Sequence, residues 1–242
     1  MKEKNIIYLR KFKTYSMSLS LLILITVFNS CSSEKSSKWE YIFDGETFNG
    51  WHVYKAETIG SEWSINNGEL IFTNNEEFGQ DLVTDKEYTN FELSIEWNIS
   101  KNGNSGILYG VKELPEFDAP FVTGPEIQVL DNERHPDALA NPKFHQAGAL
   151  YDMVQPTQDV CKAAGEWNDV LLSIDYNTNK GSVTLNGVEI VTFPVSGEKW
   201  DALIANSKFS DWDHFAKFKT GKIGLQDHGD MVSYRNIKIR EL

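Results

Sequence analysis

Two shortages limit what this 242-residue chain can be. Cysteine is scarce, with only Cys31 and Cys161, too few for the disulfide framework that holds small secreted scaffolds together. Basic residues are also scarce, since 23 Lys and Arg stand against 35 Asp and Glu and give a net charge of −12. We therefore expect no nucleic-acid partner, because binding to phosphates requires a basic face.

Motifs for common cofactors and nucleophiles are missing as well. The sequence has no dinucleotide-binding, phosphate-loop or serine-triad signal, and its histidines show no HxH or HExxH spacing. We therefore expect no cofactor and assign no metal ligands. A bound divalent cation stays open, because calcium could be held by aspartates that the fold would have to gather. These are Asp131, Asp152, Asp227 and Asp230.

The first thirty residues have the composition of an export signal. A basic start is followed by the uncharged run 17–28, which is too short to cross a bilayer as a helix. The next residues, Asn29, Ser30 and Cys31, resemble the box at which bacteria attach lipid to cysteine and cleave the chain. We predict a lipoprotein signal peptide at 1–30, lipid on Cys31 and a polar tether over 31–38. An ordinary signal peptide with an incidental cysteine is the alternative.

This leader predicts the location and the size of the folded part. The chain would be lipid-anchored in the bacterial cell envelope, on the periplasmic or cell-surface side, and would touch the membrane through its lipid alone. Residues 1–30 hold five basic residues and one acidic residue, so 18 basic and 34 acidic residues remain, a net charge of −16. We predict a single domain over 39–242.

Alternating apolar and polar residues indicate an all-β fold. From Phe91 to Ser100 every second residue is apolar, which gives the strand one buried and one wet face. Pairs such as Asn102-Gly103 and Asn186-Gly187 lie between apolar runs, as tight hairpins require. No sustained helical period is present, so helices should be short and peripheral. Further strands are predicted at 170–176, 182–185, 188–193 and 233–239.

Three segments contain polar residues where a buried strand would have apolar ones: 103–109, 124–131 and 224–229. On extended strands Glu126 and Gln128 share a face, and so do Gln226 and His228. Such a polar row matches the hydroxyl groups of a sugar, although an ordinary solvated face remains the alternative. Trp200 and Trp212 flank a polar stretch and are candidates for stacking on a sugar ring.

A glycosidase with two carboxylates is a weaker reading. The segment 126–131 resembles the E-x-D-x-x-E strand of laminarinase-like jelly-roll hydrolases, but Gln128 replaces the central acid. On a regular strand Glu126 and Asp131 would lie roughly 16 Å apart on opposite faces, beyond the range of either glycosidase geometry.

The ordered motifs resemble a family, the 3-keto-disaccharide hydrolase domain that is common in lipoproteins of Bacteroidetes. The resemblance covers nearly all of the chain after the leader. Its marks are residues 43–45, 50–51, 63, 68–70, 104–106, 124–131, 147–152, 166–168, 186–187, 221–229 and 235–237. It implies a concanavalin-like jelly-roll β-sandwich and the cleavage of glycosides that carry a ketone at C3.

A C3 ketone acidifies the C2 hydrogen, so one base can start an elimination at C1 that hydration completes. Residue chemistry then offers Glu126 or His228 as the base and His228 or Asp152 as the acid. Substrate-binding candidates are Asn104, Tyr109, Gln128, Asp131, Gln226 and Arg235. The sequence thus predicts a 3-keto-glycoside hydrolase or lyase with a carbohydrate substrate. A carbohydrate-binding lipoprotein without turnover is the alternative, ahead of a purely structural envelope protein.

Overall fold

The computed structural model describes residues 38–73, 79–141 and 143–242. The predicted leader, Cys31 and all of the tether except Lys38 lie outside these residues. Ser37–Leu242 forms one compact unit. Among the described residues, no helix is both long enough and apolar enough to cross a membrane.

Two antiparallel sheets form the fold. The strands are β1 Glu40–Tyr41, β2 Trp51–Val53, β3 Trp63–Asn66, β4 Glu69–Phe72, β5 Leu82–Thr84, β6 Phe91–Ile99, β7 Asn104–Val111, β8 Glu126–Leu130, β9 Asn168–Asp175, β10 Lys180–Leu185, β11 Val188–Phe193, β12 Lys222–Leu225 and β13 Val232–Glu241. The larger sheet has the order β11-β10-β9-β6-β13-β4-β3, with β1 paired to β13, and the smaller has the order β2-β5-β12-β7-β8. The predicted all-β, concanavalin-like jelly-roll sandwich is confirmed.

The main core lies between the sheets. Along β6 buried and half-buried residues alternate strictly, as the sequence predicts, and Leu93, Ile95 and Trp97 are fully buried. Opposite them, Ile107 of β7 and Ile127 of β8 point inward from the smaller sheet. Alternation with a period of two therefore gives each strand one face for the shared core.

The outer face of the smaller sheet is covered as well. All of β7 is buried, and so is β8 after Glu126. The irregular segment 148–151 runs along the edge of β8, where Gly148 N–H donates to the Gln128 carbonyl at 2.8 Å and Tyr151 N–H to the Glu126 carbonyl at 3.0 Å. Burial of both faces explains why β7 and β8 show no clean alternation in sequence.

Helices are short and peripheral, as predicted. A 3₁₀ turn spans Pro120–Val122, α1 spans Pro136–Ala140 and α2 spans Glu198–Ala205. The loops that carry the 3₁₀ turn and α1 lie over the outer face of the smaller sheet and contribute side chains to the cleft described next.

Candidate active site

A cleft on the outer face of the smaller sheet brings several predicted residues together. It consists of three adjoining cavities of about 200, 410 and 430 Å³, and His228 lines all three. The smallest, the apolar cavity, is walled by Phe121, Phe209, Trp212 and Phe215 beside Glu126 and Lys208. The acidic cavity is lined by Tyr54, Asp81, Asp118, Gln226 and Asp227. The histidine cavity is lined by Asn104, His135, Asp137 and Tyr151.

Glu126 opens β8 with its side chain on the outer face of the sheet. Its neighbour across the strand pair is β7, where Gly106 lies beneath the carboxylate, so that a Cβ at this position would overlap it. Gln128, with its amide nitrogen toward Glu126, donates to Oε1 at 2.9 Å and to the Ser105 carbonyl at 3.0 Å. The absent side chain at Gly106 and the Gln128 amide therefore fix where the carboxylate lies.

Burial controls the protonation of Glu126. Loss of solvation raises the pKa of its carboxyl group to about 8, the nearby Lys208 ammonium opposes the rise, and the charges of Asp137 and Asp81 add to it. The carboxylate is thus a stronger base than an ordinary glutamate. A raised pKa in a cleft is typical of a group that exchanges protons with a substrate.

The acidic cavity holds a second perturbed carboxyl group. Burial and the charge of Asp227 raise the pKa of Asp81 to about 7, although Asp81 Oδ1 accepts a hydrogen bond from the Asp227 amide at 3.0 Å. Gln226 follows the end of β12 and is 9 % exposed, and its Oε1 has no hydrogen-bond partner among the described residues. A buried amide oxygen without a donor is suited to accept a hydrogen bond from a ligand hydroxyl.

A network of polar side chains lies next to the cleft. The imidazole of His145 lies between two carboxylates, with Nδ1 at 2.7 Å from Asp137 and Nε2 at 2.9 Å from Asp152. Tyr151 stacks on His145 and donates to Asp137 at 2.9 Å. The Lys208 ammonium lies 4.1 Å from the centre of the Tyr151 ring, and the Lys208 amide donates to Asp152 at 2.6 Å. The network thereby holds Lys208 beside Glu126.

The structure places Asp152 in this network rather than in the cleft. Its Oδ1 faces His145 and Asn141, and its Oδ2 accepts from the Lys208 amide. With both oxygens engaged, Asp152 fits a positioning role better than the role of an acid that contacts substrate.

Gln226 and His228 reach the cleft by another route than the predicted strand. Strand β12 ends at Leu225, and the chain then turns: Asp227 accepts from the Gly229 amide at 2.8 Å, and Gly229 has a left-handed φ of 86°. The prediction of a shared strand face was wrong here. The turn nevertheless puts both side chains into the cleft.

Four predicted binding residues line none of the three cavities: Tyr109, Gln128, Asp131 and Arg235. Asp131 is buried, pairs with Arg134 at 3.1 Å and accepts a hydrogen bond from the backbone N–H of Asn102, and these contacts hold the loop after β8. Tyr109 points into the core between the sheets. Arg235 lies on the outer face of the larger sheet, paired with Glu96 at 2.8 Å and stacked 3.9 Å from the centre of the Trp167 ring.

Of the two tryptophans expected to stack on a sugar, one reaches the cleft. Trp212 walls the apolar cavity, whereas Trp200 is buried on α2 and stacks on Phe193 with 6.0 Å between the ring centroids.

Gln128 is 1 % exposed and contacts Glu126, so it orients that carboxylate.

Sequence reasoning missed several residues that line the cleft. Lys208, Phe121 and Asp81 belong to no motif and come from separate loops and strands, so no local spacing could reveal them. Tyr151 does lie within the motif 147–152, which could have indicated it. His135 lies in the long segment between β8 and β9, where α1 is the single regular element among the described residues, and loops of such length are more often functional than idle.

Comparisons with known sequences identify a family and a related protein. A family model described as the 3-keto-alpha-glucoside-1,2-lyase-like domain matches residues 38–240. The chain is 35% identical over 228 residues to a 3-keto-disaccharide hydrolase of Bacteroides thetaiotaomicron, covering 83% of this chain and 77% of that protein.

Solved structures are similar too. A crystal structure of a candidate glycosyl hydrolase from Parabacteroides distasonis matches with a TM-score of 0.78 and 30% identity, covering 87% of this chain and 97% of that one. The carbohydrate-binding module CBM66 from Bacillus subtilis matches with a TM-score of 0.50 and 10% identity, covering 79% of this chain and 96% of that one. At that identity the second likeness concerns the fold alone.

Proposed function

Because the chain belongs to the family of 3-keto-alpha-glucoside-1,2-lyase-like domains, we propose that it cleaves glycosides already oxidised to a ketone at C3. The observation that carries the proposal is Glu126, a carboxylate of raised basicity that is held in position in a cleft. The name of the relative from Bacteroides thetaiotaomicron supports glycoside hydrolysis as the reaction class.

One base is enough for this chemistry. A ketone at C3 acidifies the hydrogen on C2, and a carboxylate with a pKa of about 8 is better matched to that proton than one of ordinary pKa. Glu126 takes the C2 proton, and the electron pair of the C–H bond passes into an enolate whose negative charge rests on the C3 oxygen. The pair then returns to expel the oxygen on C1, which leaves with the proton from Glu126. Water adds afterwards at C1 and completes a hydrolysis.

The two-carboxylate mechanism has little support at this site. Gln128 stands where the central acid of the E-x-D-x-x-E pattern would be, and it donates to Glu126 instead of sharing a proton with it. Asp131, at the position of the last acid of the pattern, is paired with Arg134 and lines none of the three cavities. A retaining or inverting glycosidase needs both acids facing the same bond.

The cavities of the cleft differ in polarity, which supports separate binding places for the oxidised sugar and for the leaving group on C1. Polar side chains of the acidic and histidine cavities, with the unpartnered Oε1 of Gln226, suit the hydroxyl groups of the oxidised sugar. The aromatic walls of the apolar cavity suit the group attached to C1, which lies next to the proton that Glu126 removes. His228 borders all three cavities and is placed to act on the oxygen atoms of the substrate.

Incubation with 3-keto-trehalose or an aryl 3-keto-glucoside tests the proposal directly. We expect release of the C1 substituent, measured by chromatography or by the absorbance of a released phenol. Saturable binding without any release would refute catalysis and favour the carbohydrate-binding alternative.

We also propose that the protein is a lipoprotein of the bacterial cell envelope, anchored through Cys31. The proposal rests on the basic start, the short apolar run and the small residue before Cys31 in the sequence.

A further inference from the structure

We propose that His135, His228 and Asp230 bind a divalent transition-metal ion beside the histidine cavity of the cleft. Each of these side chains offers one ligand atom, and the three atoms all lie within 4.8 Å of one another. Ligand atoms that share an ion at about 2.0 to 2.2 Å are at most about 4.4 Å apart, when they lie on opposite sides of the ion. A limit of 4.8 Å between the atoms is therefore compatible with any coordination geometry. The catalytic role given to the ion below rests on the proposed function.

Separate parts of the chain bring the three residues together. His135 is the residue before α1, whereas His228 and Asp230 flank Gly229 in the turn between β12 and β13. Asp230 is fixed to the sheet because its Oδ2 accepts a hydrogen bond from the backbone N–H of Asn104 at 3.1 Å. The two imidazole rings stand nearly perpendicular, at 81°, with centroids 6.0 Å apart. Two imidazoles and one carboxylate form a donor set typical of catalytic zinc, iron and related ions.

Asn104 supplies an independent indication of a ligand. Its side chain is 4 % exposed and lines the same cavity as His135 and His228. Its Oδ1 is buried and has no hydrogen-bond partner among the described residues. A buried carbonyl oxygen is seldom left unpaired, and a cation or a water bound to that cation would satisfy it.

Coordination costs His135 one existing contact. Its Nδ1 accepts a long hydrogen bond of 3.2 Å from the Asp137 amide, so the neutral ring carries its proton on Nε2. Binding through Nε2 moves that proton to Nδ1 and gives up this hydrogen bond. The loss is a single long hydrogen bond, whereas binding of the ion forms three new metal–ligand bonds.

A three-residue donor set leaves coordination positions open for substrate. In the proposed reaction the C3 ketone oxygen takes one of them. When Glu126 removes the C2 proton, the electron pair of the C–H bond forms the C2–C3 double bond and the carbonyl pair moves onto the bound oxygen. The cation then neutralises the enolate charge until the pair returns and the C1 oxygen leaves. This gives His228 a specific task, as a ligand rather than as a proton donor.

Cobalt binding tests the site without relying on activity. The full chain is stripped with a chelator, dialysed and titrated with Co²⁺, and bound cobalt is measured by equilibrium dialysis with elemental analysis and by visible absorption. We expect one cobalt per chain. His135→Ala and Asp230→Asn should each weaken binding by at least about tenfold, a loss that even outer-shell partners can cause. His214→Ala is the matched control, because this exposed histidine lines none of the cavities.

The outcomes separate the two proposals. Absence of cobalt binding, or equal binding by the wild type and both ligand variants, would overturn the metal site. Cobalt bound as expected, without any cleavage of 3-keto-glycosides, would overturn the proposed function and leave the site standing. Cleavage that is unchanged after complete chelation would overturn the catalytic role of the ion.

Discussion

The carboxylate of Glu126 has little to do with holding the fold and much to do with chemistry. It lies at the first residue of β8, over Gly106, with one hydrogen bond from Gln128. We expect Glu126→Gln to leave the protein folded and to lower kcat on 3-keto-glycosides by about 10²- to 10⁴-fold, since the amide cannot accept the C2 proton. Steady-state kinetics and thermal melting measure the two effects.

The matched control for this variant is Glu189→Gln, which changes an exposed strand glutamate of the larger sheet. It should leave kcat unchanged. Full turnover by Glu126→Gln would show that another residue is the base.

The raised pKa of Glu126 also predicts two effects of pH. The native state keeps this proton up to about pH 8, whereas the unfolded chain loses it near the ordinary glutamate pKa of 4.5. Between these values the native state binds more protons, so this group lowers the free energy of unfolding as pH rises through the interval. Glu126→Gln should therefore melt higher relative to wild type at pH 9 than at pH 5. Equal melting differences at both pH values would contradict a raised pKa of Glu126. The same pKa predicts that kcat/KM of the wild type rises with pH toward about 8.

At the scale of strands and loops, the pairing of β7 with β8 sets the position of the Glu126 carboxylate. A methyl group at position 106 would overlap the Glu126 carboxylate, whereas one at Gly224 of β12 would lie 3.3 Å from Leu108. We expect Gly106→Ala to displace Glu126 and to lower kcat by about tenfold or more, because small misplacements of a reacting group are costly. Gly224→Ala is the control and should have the smaller effect. Equal kcat for both variants would show that Gly106 does not set the position of the base.

Local patterns predicted the strands well where one face is wet. Strand β6 alternates as expected, and the predicted strands 188–193 and 233–239 match β11 and β13 within one or two residues at each end. Alternation failed for β7 and β8, because loops cover their outer face and both faces are buried. Periodicity reports burial, and it cannot tell a covering loop from a second sheet.

Contacts between residues that are far apart in sequence could not be predicted from local sequence patterns. Arg235 was expected to contact substrate, but the register of β13 with β6 puts it opposite Glu96, which neutralises it on the larger sheet. Likewise His135 and His228 are far apart in sequence and meet only in the folded chain. Glu126, Gln226 and His228 line one cavity, and the sequence had indicated them because polar groups are unusual in buried strands.

At the scale of the whole molecule, the fold and the anchor should be independent. The described β-sandwich has its own core over residues 38–242, and the lipid proposed on Cys31 would contribute only attachment. We expect Cys31→Ala to shift the protein from the membrane fraction to the soluble fraction, with thermal melting unchanged. Fractionation with membranes in spite of the substitution would refute lipid attachment at Cys31, and Cys161→Ala provides the matched control.

The most direct test of the whole account follows the hydrogen on C2 of the substrate. A 3-keto-glucoside deuterated at C2 and the same glucoside with an ordinary C3 hydroxyl are each incubated with the protein, and the products are examined by mass spectrometry. We predict cleavage of the ketone alone, a primary isotope effect when proton removal limits the rate, and deuterium missing from C2 of the sugar product. Efficient cleavage of the unoxidised glucoside, or C2 deuterium fully kept in the product, would contradict proton abstraction by Glu126 and favour direct displacement at C1.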